Sequence, residues 1–235
     1  VQTCALPISV MKKSLAILVI LLLVGATVFA QTVVFQHSFS GSAMLPKSHG
    51  DWEVKGGRLY QGDTEEHLAK VNVPAAQSGE MQYEFNLRYE GGGFNDLMGG
   101  FGIHVFVDNP WDGKSWGNGQ SFLLWLNFDP NASYGSTGLI AQIYKSTSAT
   151  KMSLVGEFDL NRYAYLLSTS NMGLTVPARI KVNGANGSVW VEDPTLPGYG
   201  YRFSLGESLG TGGYVGLRTN SLALSFDNIK ITKLK

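Results

Sequence analysis

Cysteine is nearly absent from this sequence, because Cys4 is the only one among its 235 residues. Residues 1–10 precede Met11 and do not fit the start of an export signal, so we interpret them as a non-native extension. The rest of the chain then has no thiol, which excludes a disulfide framework and a Cys-ligated zinc site. Such a domain is held together by core packing, alone or with a metal.

Charge is also sparse, since charged residues make up only 15% of the chain and form no basic block. Lys12 and Lys13 are two of the 18 basic residues, which leaves 16 against 18 acidic residues in the remainder. A surface with a net charge of about −2 and no basic stretch suits neither nucleic acid nor an anionic membrane. We expect neither of them as a partner.

Long apolar runs are missing, except for residues 15–24, which follow the basic pair. Val28 and Ala30 then stand three residues and one residue before Gln31, as small side chains do at a cleavage point. This order predicts a secretory signal peptide over residues 11–30. The run is too short to span a bilayer, and a retained anchor is the alternative. We expect a bacterial protein that is periplasmic, cell-surface or secreted, with no membrane insertion after cleavage.

Helical periodicity is lacking in the remaining segment, and a period of two dominates. Met81, Tyr83, Phe85, Leu87 and Tyr89 alternate with polar residues. Because side chains alternate between the two faces of a strand, these five share one face.

Thirteen strands of this kind are predicted within a single domain over residues 31–235. Their expected positions are 33–39, 58–61, 67–73, 81–90, 101–107, 121–128, 138–145, 153–159, 178–183, 188–192, 201–205, 213–218 and 222–233. A four-residue turn predicts a hairpin at 184–187, and a change of phase predicts a bulge near Asp227 and Asn228. The one helical candidate is a single turn within 159–170, capped by an Asp. This pattern predicts an all-β domain of two packed antiparallel sheets.

Three motifs occur in order along this domain. They are Phe39-Ser40-Gly41 with the stretch 51–59, the hairpin over 179–184 and 188–193, and the ending over 213–218 and 226–231. Together they resemble the concanavalin A-like lectin/glucanase superfamily, including its laminin G-like and 3-keto-disaccharide hydrolase-like members. The resemblance implies a jelly-roll sandwich whose concave face or rim loops hold sugars, often with structural calcium. It does not imply a reaction, since this fold serves lectins and enzymes alike.

Catalytic carboxylates in the glucanases of this superfamily follow the pattern Glu-x-Asp-x-Glu on one strand face. Here Glu157 and Asp159 match the first two positions, but Asn161 occupies the third. Asn cannot donate and recover a proton as the acid/base requires. Glu157 and Asp159 are therefore catalytic candidates without the third residue, the catalytic residues of an enzyme would otherwise be unlocated, and a strand that ends in a loop is the favoured alternative.

Two surfaces are candidates for sugar contact. The first is the loop over residues 108–120, which carries Trp111 and Trp116 between Gly and polar side chains, with Asp108 and Asn109 at its start. Exposed Trp rings stack on the C–H faces of sugars, and the polar side chains bind hydroxyl groups. In the alternative, one Trp folds back and plugs the end of the sandwich.

The second surface is a sheet face. If the strands near 101–107, 121–128 and 138–145 are neighbours, their alternation places five aromatic and polar side chains together, with Phe106 on the same side. They are His104, Trp125, Asn127, Gln142 and Tyr144. This mixture suits a sugar-binding face. In the alternative, loops cover both faces of these strands.

Metal sites have little support in the sequence. His37, His49, His67 and His104 lack a paired spacing for zinc. Calcium, which binds oxygen ligands, has candidates in Asp227 and in the Asp108-Asn109-Asp112 cluster. We expect no other cofactor.

The combined expectation is an exported, non-catalytic protein that binds carbohydrate or glycan through a lectin-like sandwich. A glycoside hydrolase-type enzyme of the same fold and a structural cell-envelope protein are the alternatives. The sequence predicts no particular oligomeric state.

Overall fold

The computed structural model describes residues 31–41, 47–93, 99–129 and 138–235. The segment Gln31–Lys235 forms a single compact unit. The predicted extension and signal peptide lie outside the described residues, so both remain predictions. Within the described part of the chain, no helix is long and apolar enough to cross a membrane.

Fifteen strands are found in the described residues. They are β1 (Thr32–His37), β2 (Lys47–His49), β3 (Trp52–Lys55), β4 (Arg58–Gln61), β5 (Ala69–Gln77), β6 (Glu80–Gly92), β7 (Gly100–Val107), β8 (Ser121–Asp129), β9 (Gly138–Ser146), β10 (Met152–Asp159), β11 (Thr175–Asn183), β12 (Ser188–Glu192), β13 (Gly200–Ser204), β14 (Gly212–Asn220) and β15 (Leu222–Lys233). Two 3-10 helices, Asn161–Leu167 and Thr169–Asn171, join β10 to β11.

The strands form two antiparallel sheets. The first sheet has the order β13-β12-β11-β6-β15-β4-β3, and β1 also pairs with β15. The second sheet has the order β10-β9-β8-β7-β14-β5-β2. The prediction of an all-β, two-sheet antiparallel jelly-roll sandwich is confirmed.

Each of the thirteen predicted strands overlaps an observed one, and β2 and β3 were not predicted. The hairpin is confirmed by the pairing of Asn183 with Ser188. The bulge is confirmed by a register shift between Asp227 and Lys230, where Asn228 has a φ of +50°. Asn tolerates this left-handed conformation better than most residues, so it suits the bulge.

The expected helical turn is a 3-10 helix of seven residues, Asn161–Leu167. Leu160 occupies its N-cap position and makes no side-chain cap. Asp159, one residue earlier, accepts the backbone N–H of Asn161 over 2.7 Å. The acidic residue therefore stabilises the start of the turn from just outside it.

The core lies between the two sheets, and β6 contributes its five alternating apolar residues as predicted. Phe106 differs from prediction, because it packs in this core and not on the outer face. Its φ of +54° shifts the phase of β7, so Val105 and Phe106 both contribute to the core. The backbone N–H of Phe106 is bound there by Gln77 Oε1 at 2.9 Å.

Candidate functional site

The outer face of the second sheet gathers most of the predicted ligand-binding residues. β7, β8 and β9 are neighbours, as the prediction required. Trp125 lies opposite Gln142, and Leu123 lies between His104 on one side and Tyr144 on the other. Leu123 and Trp125 are buried but do not belong to the core cluster, which places them on the outer face.

The loop over residues 108–120 is closed at its neck by Asp108. The backbone N–H of Asp108 donates to the carbonyl of Gln120 over 3.2 Å. In return, its carboxylate Oδ1 accepts the N–H of Gln120 at 2.7 Å and that of Asn109 at 2.5 Å. Asp108 therefore acts as a structural residue of the loop.

Asn118 fixes the loop to the outer face. Its Nδ2 donates to Asn72 Oδ1 of β5 over 2.8 Å, and its backbone N–H donates to Ser146 Oγ of β9 over 3.0 Å. A Cβ at Gly216 would lie 2.7 Å from Asn118 Nδ2, so the glycine gives this amide its space. The loop is thus bonded to strands on both sides of β7 and β8.

Two buried cations lie beneath the loop. Lys70 Nζ of β5 donates to Ser115 Oγ and, over 3.0 Å, to the carbonyl of Gly117. Arg218 of β14 donates to the carbonyl of Trp116. Burial, together with the nearby Arg218, lowers the pKa of Lys70 to about 7, and burial lowers the pKa of Arg218 to about 10.

Arg218 also packs its guanidinium against two aromatic rings. The distance to the ring centre is 5.0 Å for Trp116 and 5.5 Å for Trp125. Cations are attracted to the faces of aromatic rings, and the attraction grows when both are removed from water. Arg218 therefore supports the Trp116 ring from beneath. Trp125, the other ring that Arg218 contacts, is only 7% exposed.

His104 is fully buried within this layer. Its Nδ1 lies 3.0 Å from Ser121 Oγ. Burial, Arg218 and Lys70 hold its pKa well below the ordinary value near 6.5, so the ring is neutral. His104 is a supporting residue of the face and does not reach its surface.

A row of four side chains lies in the accessible part of the face. Trp116 is 42% exposed and packs edge-on against Tyr144, with ring centres 5.9 Å apart. Tyr144 OH donates to Gln142 Oε1 over 3.0 Å, and Gln142 Nε2 donates to Glu157 Oε2 over 2.7 Å. We call Trp116, Tyr144, Gln142 and Glu157 the Trp116 site.

The Trp116 site combines an aromatic surface with fixed polar groups. Burial raises the pKa of Tyr144, the Glu157 carboxylate raises it further, and Arg218 opposes the rise. The phenol therefore keeps its proton and orients the Gln142 amide. An apolar ring beside oriented amide and carboxylate groups matches the C–H face and the hydroxyl groups of a sugar.

The other predicted residues lie around this row. Trp111 is 53% exposed, and its backbone N–H donates to Asn118 Oδ1 over 3.1 Å. Asn109 is exposed at the loop neck, and Asn127 lies farther along β8, opposite Ile140. Neither Trp of the loop is buried in the sandwich end. The loop covers the sheet face with its backbone and small side chains, and both Trp rings remain partly accessible.

The three residues of the glucanase-like pattern do not share a strand face. Strand β10 ends at Asp159, and Asn161 belongs to the 3-10 helix, where its Oδ1 accepts the N–H of Leu139 over 2.8 Å. Asp159 binds the N–H of Asn161, and Glu157 binds Gln142. Only Glu157 joins the Trp116 site.

The calcium candidates do not form a site together. Asp108 already accepts two backbone N–H groups, and Asp227 Oδ2 lies 3.6 Å from Arg58 and 3.1 Å from Asn228 Nδ2. In the described ranges, no group of three or more His, Cys, Asp or Glu side chains could hold a metal ion. Structural calcium, with Asp112 and Asp227 as candidate ligands, therefore stays a prediction.

Sequence reasoning missed Lys70, Asn72, Asn118 and Arg218. A usable signal existed for three of them, because Lys70, Asn72 and Arg218 alternate with the apolar core residues of β5 and β14. The alternation places them on the outer face but does not say that a loop covers it. The role of Asn118 depends on contacts between segments far apart in sequence.

Comparison with known proteins gives a match in structure alone. The sequence matches no known family model and no curated protein. The carbohydrate-binding module CBM66 from Bacillus subtilis has a TM-score of 0.51 and 10% identity, over 80% of this chain and 94% of that one. The exoplasmic/lumenal domain of VIP36 in its metal-free form has a TM-score of 0.58 and 10% identity, over 88% and 94%.

The carbohydrate recognition domain of Emp47p gives a similar result, with a TM-score of 0.54 and 12% identity, over 88% of this chain and 98% of that one. This chain has a concanavalin A-like lectin fold. The resemblance inferred from its three motifs is confirmed at the level of the fold. At such low identity the likeness says nothing by itself about a ligand of this chain.

Proposed function

We propose that this protein binds carbohydrate, and that the Trp116 site is where the sugar ring is held. The observation that carries the proposal is the half-exposed Trp116 beside the hydrogen-bonded row of Tyr144, Gln142 and Glu157. A sugar stacked on the indole would meet the amide and the carboxylate at its edge, where its hydroxyl groups point.

The support beneath the ring strengthens the proposal. Trp116 is held by the Arg218 guanidinium, by the edge of Tyr144 and by the hydrogen bond from Arg218 to its carbonyl. Binding is stronger when the contact groups are already ordered, because less conformational entropy is lost. Three neighbours of the same fold are named as carbohydrate-binding or as bound to a mannose-containing ligand, which is consistent with this use of the fold.

The proposal includes export, on the basis of the signal-like residues 11–30. Expression of the whole chain in a bacterium, followed by fractionation, tests this part. We expect the protein in the periplasm or medium, with Gln31 as its first residue in N-terminal sequencing. Recovery of the uncleaved chain in the cytoplasm would contradict export.

Affinity electrophoresis and calorimetry with a panel of neutral polysaccharides and oligosaccharides test the sugar site. We expect the wild-type protein to bind at least one of them and Trp116→Ala to lose at least 90% of that affinity. Gln142→Ala should weaken binding less, because it removes one polar contact. The titrations are repeated with added Ca²⁺, since one VIP36 structure is a Ca²⁺/Man2-bound form.

Trp190→Ala is the matched control. Trp190 is a partly exposed indole on β12 of the first sheet and, like Trp116, lies against a cation, with Lys181 Nζ 5.2 Å from its ring centre. Its removal should leave sugar affinity unchanged. Equal loss in both variants, or no loss in Trp116→Ala, would refute the assignment of the site, and binding of no sugar by the wild type would refute the function.

A further inference from the structure

A large apolar cavity lies inside the sandwich, and neither Trp116 nor Tyr144 lines it, although Gln142 and Glu157 do. Its volume is about 770 Å³, which falls within the range of about 300–1,000 Å³ typical of small-molecule sites. Its walls are side chains of both sheets and of the first 3-10 helix. They include Phe85, Ile180, Leu124, Ile143 and Leu167.

The side chains that line the cavity do not pack closely enough to fill it. Leu124 is 9% exposed, Phe85 is 8% exposed and Ile180 is 7% exposed, although all three point between the sheets. Ala141 of β9 and Ala178 of β11 line the same space from opposite sheets. Small side chains at inward-facing positions leave room that a larger residue would fill.

The mouth of the cavity lies between the edge strands β10 and β13. Phe158 of β10 and Phe203 of β13 both line it, and their ring centres lie 5.6 Å apart. Phe158 is 44% exposed, so an apolar surface continues from the interior to solvent. A chain-like apolar ligand could enter there without displacing a polar layer.

The polar rim of this mouth carries both charges, because the lining includes Glu157, Asp159 and Glu192 together with Arg162 and Arg202. Glu192 already accepts hydrogen bonds from Arg179 at 3.0 and 3.2 Å, and Asp159 accepts the N–H of Asn161. The side chain of Arg162 is 63% exposed, and its closest carboxylate oxygen, on Asp193, is 3.9 Å away. A guanidinium has five N–H donors in a planar fork that matches a carboxylate, so Arg162 retains donors for a ligand.

From these observations we propose that the cavity binds a single-chain fatty acid. The acyl chain lies between the sheets among the apolar walls, and the carboxylate lies at the rim beside Arg162. Dry apolar cavities take up apolar molecules readily, because burying hydrocarbon releases it from water. The cavity shares Gln142 and Glu157 with the Trp116 site but not Trp116 itself, so the proposal does not rest on sugar binding.

Fluorescence titration of the purified full chain with 11-(dansylamino)undecanoic acid, followed by displacement with dodecanoate, tests the proposal. We expect saturable binding at one site. Ala178→Phe and Ala141→Phe, which fill the cavity from either sheet, should each weaken binding at least tenfold. Ala76→Phe adds the same side chain at an exposed position of β5 and should bind as the wild type does.

A smaller substitution controls for misfolding of the two Phe variants. Ala178→Val adds less volume than Phe, so its affinity should fall between those of the wild type and Ala178→Phe, with an unchanged circular dichroism spectrum. Unchanged affinity in both Phe variants, or no saturable binding by the wild type, would overturn the proposal. A wild-type dimer in size-exclusion chromatography that fatty acid does not dissociate, with no probe bound, would assign the mouth to a second copy instead.

The head group is tested separately. Arg162→Gln should weaken binding of dodecanoate about fivefold or more and leave that of dodecanol unchanged. Lys151→Gln removes an exposed cation elsewhere and should change neither. Equal weakening of both ligands by Arg162→Gln would overturn the role of Arg162. Trp116→Ala should bind dodecanoate as the wild type does. The outcome of the fatty-acid test therefore does not depend on whether the protein binds sugar.

Discussion

The two halves of the sandwich core differ in how completely they are packed. In the closed half, around β3, β4, β5 and β14, the apolar side chains are entirely covered: Trp52, Leu59, Val71 and Leu217 are 0–1% exposed. In the open half, around β6, β8, β9, β11 and β12, Leu124, Phe85 and Ile180 are 7–9% exposed and surround the cavity. The same strand alternation therefore produces two degrees of packing.

The covering layers account for this difference. The closed half lies under the outer-face layer of Lys70 and Arg218 with the loop that they bind. The open half ends at the edge strands β10 and β13 and is covered by the 3-10 helix Asn161–Leu167. Closed packing supplies rigidity to the loop that carries Trp116, while the open half keeps room for a ligand.

The largest expected effect is that of Leu59→Ala in the closed half. We expect it to lower the free energy of unfolding by about 4 kcal/mol, because a well-packed site cannot collapse around the cavity that is created. Urea denaturation followed by tryptophan fluorescence and circular dichroism measures it. A loss below about 2 kcal/mol would show that this half is less rigid than its burial indicates.

The matched change in the open half is Leu124→Ala, with the same atoms removed. We expect a loss of only about 2 kcal/mol, because Leu124 already borders empty space and has fewer neighbours to lose. The same denaturation measurement applies. Equal losses for Leu59→Ala and Leu124→Ala would remove the distinction between the two halves.

Much of the fold could be predicted from the sequence because strand alternation is local. The five apolar residues of β6 define its buried face without reference to the rest of the chain. β2 and β3 are three and four residues long, too short for alternation to be recognised. Phe106 was placed on the wrong face because a single left-handed residue shifts the phase of β7.

The candidate site was predictable only in part, for a similar reason. Alternation brought Trp125, Gln142 and Tyr144 to one face, and it held an unused signal in Lys70 and Arg218, which are polar residues in core strands. It could not predict that the loop would cover this face, since that depends on hydrogen bonds between residues 45 to 102 positions apart. The cavity was equally hidden, because it requires small residues to face each other across two sheets.

The free energy of unfolding should depend on pH through Lys70, which belongs to the charged layer over the closed half. In the unfolded chain Lys70 keeps its proton to about pH 10, whereas in the folded chain it releases the proton near pH 7. Between these values the unfolded state binds more protons, so the free energy of unfolding rises with pH, and below pH 7 this contribution is flat. The slope cannot exceed about 1.4 kcal/mol per pH unit for one group.

We expect a rise of about 1.5 kcal/mol between pH 7 and pH 8.5, measured by urea denaturation. Lys70→Met should abolish it, while Lys145→Met, which removes a partly exposed lysine paired with Glu207, should retain it. The raised pKa of Tyr83 acts in the opposite direction but only above about pH 10. An equal slope in Lys70→Met would assign the pH dependence to other groups.

The smallest effect is expected from filling the open half without a ligand. Ala178→Ile should raise the free energy of unfolding by about 1 kcal/mol, because added methyl groups occupy space that is already present. Isoleucine also favours strands over alanine, so Ala76→Ile at an exposed position of β5 is the control for that contribution. If the two variants are stabilised equally, the gain comes from strand propensity and not from the cavity. If Ala178→Ile is destabilised instead, the space between the sheets is smaller than its 770 Å³ indicates, and the contrast between the two halves loses its basis.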